Sequence, residues 1–120
     1  MMDITTTFAD VLNGMELVMT SCAASQTIKY GCDETEVLFV DNVSGGAALT
    51  VTICKGDGIR RSIGDATFTV AAGKIFVVGG FDGMRVNNTM GVNKGKIVVN
   101  CVMAAGGTLA NAKLGVVQLI

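Results

Sequence analysis

A glycine-rich stretch with two adjacent arginines, KGDGIRRSIGD at 55–65, is the segment whose residue types are best suited to gripping an anion. Backbone N–H groups surround a phosphate when glycines follow the G-x-x-x-x-G-K-[ST] or G-x-G-x-x-G spacing and a helix comes next. The glycines here match neither spacing, and strand-like sequence flanks the stretch. We therefore interpret it as a long inter-strand loop. Its residues Arg60 and Arg61, with Lys55 nearby, are suited to pairing with a carboxylate of a protein neighbour.

Catalytic groups are scarce, because the chain has no histidine, the commonest general base and metal ligand. Serine and cysteine nucleophiles need an activating base, and no spacing favours a serine–lysine arrangement. The acidic segment DETE places Asp33, Glu34 and Glu36 at a strand entry, which is typical of a solvated edge or a calcium-prone turn. It could also be the partner of the arginines, within the chain or on a neighbour. We expect no enzyme activity, no cofactor and no metal.

The four cysteines, Cys22, Cys32, Cys54 and Cys101, contain no C-x-x-C pair, so neither a zinc ribbon nor a thioredoxin-type motif is supported. The N-terminal residues lack the basic and apolar regions of a secretory signal. Synthesis in a cytoplasm therefore favours reduced, packed cysteines, although an even number permits two disulfides. Whether Cys22 and Cys32 come together stays open.

The composition indicates one domain with more apolar residues than a small monomer usually has. Hydrophobic residues make up 50% of the 120, and charged residues only 16%, against about 25% in typical proteins. A subunit interface is one destination for the surplus. The net charge of −1 and the few aromatic residues argue against nucleic-acid binding. Apolar runs are far shorter than the roughly 18 residues that cross a membrane.

Alternating and apolar segments separated by glycine and asparagine turns predict strands from residue 35 onward. The predicted strands are Thr35–Val40, Ala48–Cys54, Ala66–Val70, Lys74–Val78, Lys96–Met103 and Ala112–Ile120, with one more short strand around Met84–Val86. Turn signals every 8–12 residues or so are the signature of an all-β sandwich or barrel. We predict a single-domain antiparallel β-sandwich over 35–120, jelly-roll-like or immunoglobulin-like. Strands that are apolar on both faces could present one face to a partner chain.

The first 34 residues read as an N-terminal arm with one or two strands. Phe8, Val11, Leu12 and Met15 have helical spacing, although 15–20 could instead be a strand. We expect this arm and the 55–65 loop to make the contacts with other proteins. The predicted interface residues are Phe8, Val11, Leu12, Lys55, Ile59, Arg60 and Arg61.

The order of the segments resembles that of a group of small virion proteins of tailed bacteriophages. The resemblance is carried by LFVDNVSGGAALTVTICKGDGIRRSIGDATFTVAAGKIFVVGGFDGMRVNN, by KGKIVVN and by the terminal AKLGVVQLI, and it covers about residue 37 to the last residue. In that group a strand ending in an asparagine-containing turn precedes a TVTVKAGNG-like strand. A GxGD-like loop, a TVTVAAGK strand and a final VAVVxL strand follow. The arm lies outside the resemblance.

Proteins of this group resemble capsid decoration, or cement, proteins, which are β-sandwiches on the outer head surface and often trimers. The resemblance implies a non-enzymatic protein that binds the major capsid protein, stabilises the shell and is located on the virion after synthesis in the bacterial cytoplasm. A tail or collar component is the alternative within virions. A carbohydrate-binding β-sandwich is the alternative of another class, although it would want exposed aromatic side chains and the chain has no tryptophan.

Overall fold

The computed structural model describes residues 2–9, 14–31 and 35–119. Within these ranges the regular elements are ten strands, one four-residue helix and two 3-10 turns. The strands are β1 Met2–Asp3, β2 Thr6–Ala9, β3 Thr20–Ser21, β4 Ser25–Lys29, β5 Glu36–Asp41, β6 Leu49–Ile53, β7 Ala66–Val70, β8 Ile75–Gly79, β9 Lys96–Met103 and β10 Lys113–Leu119. The helix is α1 Gly83–Val86, and the 3-10 turns are Arg61–Ile63 and Leu109–Asn111.

The strands form two sheets. The first sheet has the order β1-β4-β9-β6-β7 and the second has the order β2-β10-β5-β8, with β3 also pairing with β10. Alternation decides which side chains face inward. In β6, for example, Leu49, Val51 and Ile53 are buried while Thr50 and Thr52 are half-buried on the other face. The period-two pattern of the sequence is therefore confirmed for this strand.

Both sheets are mixed, although the strands from residue 36 onward pair with one another only in antiparallel fashion, as predicted for 35–120. β1 runs parallel to β4 and β2 runs parallel to β10, whereas the other pairs are antiparallel. The reason lies in the segment 2–9, which supplies one strand to each sheet. Only Ile4 and Thr5 separate β1 from β2, so the chain keeps its direction from the first strand to the second. Each strand lies beside a neighbour, β4 or β10, that runs in this same direction.

The N-terminal residues contain no helix within the described ranges. Phe8 lies in β2, Met15 lies in a segment without regular structure, and Val11 and Leu12 fall outside the described residues. The segment 14–19 runs across the outer face of β10 at Gly115. A Cβ atom at that glycine would lie 3.1 Å from the Val18 carbonyl oxygen, closer than packed atoms normally approach.

The short strand predicted around residue 84 is instead the helix α1. Asp82 precedes the helix, and its carboxylate accepts a hydrogen bond from the backbone N–H of Met84 at 2.9 Å. A side chain that caps the first turn in this way stabilises helical backbone in the residues that follow it. The remaining predicted strands are present, with bounds that differ by one or two residues at most.

One hydrophobic cluster is shared by the two sheets. Its members are Ile4, Cys22, Ile28, Leu38, Val40, Leu49, Val51, Ile53, Val70, Phe81, Val86, Ile97, Val99, Cys101, Ala112, Leu114 and Val116. The buried side chain of Asn42 borders the cluster and donates to the carbonyl oxygens of Ala47 at 2.8 Å and Val70 at 3.0 Å. It thereby ties the turn after β5 to the end of β7. In the part of the chain that the structure describes, no helix has the length and apolar character needed to cross a membrane.

Candidate protein-interaction surface

Two long loops pack against each other at one end of the molecule. The loop 54–65 joins β6 to β7, and the segment 80–95 joins β8 to β9 and contains α1. The backbone N–H of Gly56 donates to the Arg85 carbonyl at 2.7 Å, and that of Arg60 donates to the Met84 carbonyl at 2.9 Å. We call residues 55–65 and 81–92 together the loop-end surface.

Glycine permits this close approach of two backbones. A Cβ atom at Gly58 would lie 2.8 Å from the carbonyl carbon of Met84 and would contact its carbonyl oxygen. A Cβ at Gly56 would lie 2.6 Å from the carbonyl carbon of Asn87. Two of the three glycines of the 55–65 stretch, Gly56 and Gly58, therefore serve backbone-to-backbone packing.

Asp57 anchors the second loop to the first. Its carboxylate accepts hydrogen bonds from the backbone N–H and hydroxyl of Thr89 and from the backbone N–H of Met90, at 2.9–3.0 Å. The N–H of Thr89 is the main reason that the pKa of Asp57 lies below its usual value. The contact between the two loops therefore depends on the ionised form of Asp57, because only the carboxylate accepts all of these hydrogen bonds.

The arginines of the loop have different partners. Arg60 forms a salt bridge with Asp82 at 2.8 Å, and its side chain is still 60% exposed. Arg61 is exposed and donates to the carbonyl oxygen of Gly58 in its own loop at 3.2 Å. Lys55 contributes its backbone N–H to Asp65 at 2.7 Å.

Among the described residues, the acid that pairs with Arg60 is Asp82, which lies outside the acidic segment. Asp33 and Glu34 lie outside the described residues. Glu36 is buried in β5 and accepts the backbone N–H of Gly31 at 2.7 Å. Asp82 takes this role, because it precedes α1 in the segment that packs against the loop.

Large apolar side chains are exposed on the loop-end surface. Val92 is 93% exposed, Ile59 78% and Met90 71%, and Ile63 and Met84 are also more than half exposed. Hydrogen bonds between the loops hold the backbone here, so these side chains are presented to solvent on a fixed framework. Exposed apolar groups around charged ones are typical of protein interaction sites.

Sequence reasoning selected Ile59 but missed the apolar residues of the second loop. The segment GGFDGMRVNNTMGVNKG reads as a series of turns, and turn residues are usually polar. The sequence feature that could have indicated these exposed residues is the presence of Met84, Met90 and Val92 inside a segment of turns.

Strand β8 adds a second apolar surface. It lies at an open edge of its sheet, and Ile75 and Val77 are 58% and 62% exposed. On its other face Phe76 stacks on Phe68 of β7, with ring centroids 6.0 Å apart. A strand at the edge of a sheet with apolar, uncharged side chains is a site where a strand of another chain can pair with it.

Phe8, another of the predicted interface residues, lies on the far side of the second sheet from β8. β2 and β8 occupy opposite ends of the strand order of their sheet. Phe8 is 55% exposed and lines a cleft of about 520 Å³ with Ile4, Lys29, Tyr30 and others.

Among the described residues, no group of three or more histidine, cysteine, aspartate or glutamate side chains is arranged to hold a metal ion. No known protein family, curated protein or solved structure matches this chain.

Proposed function

We propose that this chain is a non-enzymatic structural subunit that binds neighbouring proteins in an assembly through its loop-end surface. The observation that carries the proposal is the exposure of Ile59, Met90 and Val92 on loops held by backbone hydrogen bonds. Burying such side chains on contact releases about 1.5–3 kcal/mol each, and a preorganised surface loses little entropy on binding.

The assembly we propose is the head of a tailed bacteriophage, with the major capsid protein as partner. The support is the resemblance of the segment order to capsid decoration proteins, together with the two sheets that share one hydrophobic cluster. We propose that these sheets form a jelly-roll-like or immunoglobulin-like sandwich. Added contacts across capsomer junctions would raise the barrier to opening of the shell. The chain would be made in the bacterial cytoplasm and located on the capsid surface.

The proposed subunit is a homo-oligomer, with a trimer favoured. Strand β8 supports self-association, because among the described strands it is the last of its sheet and it exposes Ile75 and Val77. Light scattering coupled to size-exclusion chromatography gives the mass of the assembly in solution. A strictly monomeric chain at all concentrations would contradict this element of the proposal.

The decisive experiment locates the chain on particles of the phage whose genome encodes it. We expect a reconstruction of purified virions to place it on the outer head surface. We also expect particles lacking the gene to bind purified chain when it is added back. A chain found on the tail or collar would favour the alternative structural role, and a chain absent from particles would overturn the proposal.

Two variants test whether the chain binds the phage head through the loop-end surface. Val92→Asp places a charge at the most exposed apolar side chain of the loop-end surface, and we expect a loss of head binding of about tenfold or more. Val43→Asp is the matched control, because Val43 is a 54% exposed valine in a different loop. Equal loss from both variants would show that the loop-end surface has no special role.

A second candidate is a carbohydrate-binding module, because the cleft beside β2 presents Phe8 and Tyr30 with Asp3, Lys29 and Gln118. Aromatic faces stack on sugar rings, and polar side chains bind hydroxyl groups. Screening the chain against a glycan array tests this function. Binding that Phe8→Ala abolishes would support it, and the absence of any bound glycan would refute it.

A further inference from the structure

Two buried cysteine side chains face each other between the two sheets. Cys101 belongs to β9 of the first sheet and is 2% exposed. Cys22 follows β3 on the side of the second sheet, is 5% exposed, and donates its backbone N–H to Ala112 at 2.9 Å. The backbone N–H of Cys101 donates to the carbonyl oxygen of Ala24, two residues after Cys22, at 3.0 Å, and both cysteines belong to the one hydrophobic cluster. This arrangement places the two thiols within hydrogen-bonding reach of each other.

The third described cysteine does not share this environment. Cys54 is half-buried just after β6, where its sulfur accepts a hydrogen bond from Asn100 at 3.3 Å. Asn100 is exposed on the face of β9 opposite to Cys101, since neighbouring residues of a strand point to opposite faces. Cys32 lies outside the described residues.

We propose that Cys22 and Cys101 are a disulfide site that links the two sheets when the protein meets a disulfide-containing environment. The reduced pair is a packed element of the core in a reducing cytoplasm, and the oxidised pair is a covalent bridge. This inference concerns the fold of the chain and does not depend on the proposed function.

The chemistry is thiol–disulfide exchange with a low-molecular-weight disulfide such as oxidised glutathione. One cysteine thiolate attacks a glutathione sulfur, forming a mixed disulfide and releasing one glutathione thiolate. The second cysteine thiolate then attacks the protein sulfur and releases the other glutathione. Two cysteine thiols are oxidised and one oxidised glutathione is reduced to two thiols.

The first attack is assigned to Cys22. The hydrogen bond from the Cys101 thiol lowers the pKa of Cys22, and the same contact raises the pKa of Cys101. Cys22 is also the easier of the two to expose, because β3 has only two residues while Cys101 lies within the eight-residue β9 between two neighbouring strands. Local opening of the short strand gives the reagent access to Cys22.

The test uses the full chain incubated in oxidised or reduced glutathione, then blocked with iodoacetamide and digested with trypsin. Cleavage after lysine and arginine places Cys22 in peptide 1–29, Cys101 in peptide 97–113, and Cys32 with Cys54 in peptide 30–55. We expect peptides 1–29 and 97–113 to be linked in oxidised samples only. The three peptides distinguish this pairing from one between Cys22 and Cys32.

The oxidation is repeated at several sub-denaturing urea concentrations, so that burial of the cysteines does not prevent glutathione from reaching them. Alkylated, unlinked Cys22 and Cys101 under all of these conditions would overturn the proposal, as would linkage of peptide 30–55 to either partner.

The oxidised chain should also unfold at a midpoint about 10–20 °C above that of the reduced chain, because the bridge closes a long loop. Cys101→Ala should remove this difference and Cys54→Ala should keep it. A linked chain with an unchanged midpoint would refute the bridging role.

Discussion

Replacing Gly58 with alanine tests whether the two loops depend on close backbone packing. The added Cβ would lie 2.8 Å from the Met84 carbonyl carbon, where packed atoms are normally at least about 3.4 Å apart. The three nearest atoms are backbone atoms of Met84, so no side-chain rotation relieves the contact with them. The loop 54–65 must therefore shift relative to α1.

The size of the effect follows from the contacts that the shift weakens. The hydrogen bonds from Gly56 to Arg85 and from Arg60 to Met84 contribute about 0.5–1.5 kcal/mol each. The exposed Arg60–Asp82 salt bridge adds at most about 1 kcal/mol. Because the shift weakens these contacts without removing all of them, we expect Gly58→Ala to lower the free energy of unfolding by about 1–3 kcal/mol.

Two measurements check this expectation. Thermal unfolding followed by circular dichroism should show a midpoint several degrees lower, and amide hydrogen exchange should show faster exchange at Gly56 and Arg60. Gly79→Ala is the matched control, since its Cβ would meet Val37 at an ordinary 3.7 Å. If Gly58→Ala matches that control in both midpoint and exchange, the argument for backbone packing is refuted.

Three further substitutions have defined outcomes. Asn42→Ala should lower the free energy of unfolding by about 2–4 kcal/mol in urea titrations, because it leaves buried carbonyl groups such as that of Val70 without a donor. Leu38→Ala should cost about 2–5 kcal/mol in the same assay, because Leu38 is fully buried. The lowered pKa of Asp57 means that its hydrogen bonds with Thr89 stabilise the folded loops above the ordinary aspartate pKa and are lost as the pH falls through the lowered value. Asp57→Asn should therefore reduce the acid dependence of hydrogen exchange at Thr89, and an unchanged pH profile would contradict this assignment.

The strands from residue 35 onward were predictable because local pattern decides them. β7 and β9 have the predicted bounds, since alternating threonines in one and a long apolar run in the other leave little ambiguity. The helix α1 was not predictable, because its stability comes from one capping carboxylate, Asp82. The parallel pairs were also hidden from sequence reasoning, since the path of 2–9 depends on which sheet edges are open.

Of the loop-end surface, only the part formed by residues 55–65 was predictable from the sequence. The exposure of Ile59 and Arg60 follows from a long loop of glycines and charges between two strands. Their partners could not be derived, because Met84 and Asp82 reach them through packing between segments more than twenty residues apart in sequence. Pairwise contacts of this kind leave no periodic pattern in the chain.

The pairing of β2 with β10 has a consequence for how the protein forms during synthesis. Thr6 lies opposite Val116, so β2 leaves the ribosome long before β10, the strand with which it pairs, has been made. Strand pairs this far apart in sequence make folding slow, because most of the chain must be closed into a loop before the contact is made. Until then the edge of β2 is unprotected, and the nascent chain is most exposed to aggregation over this interval.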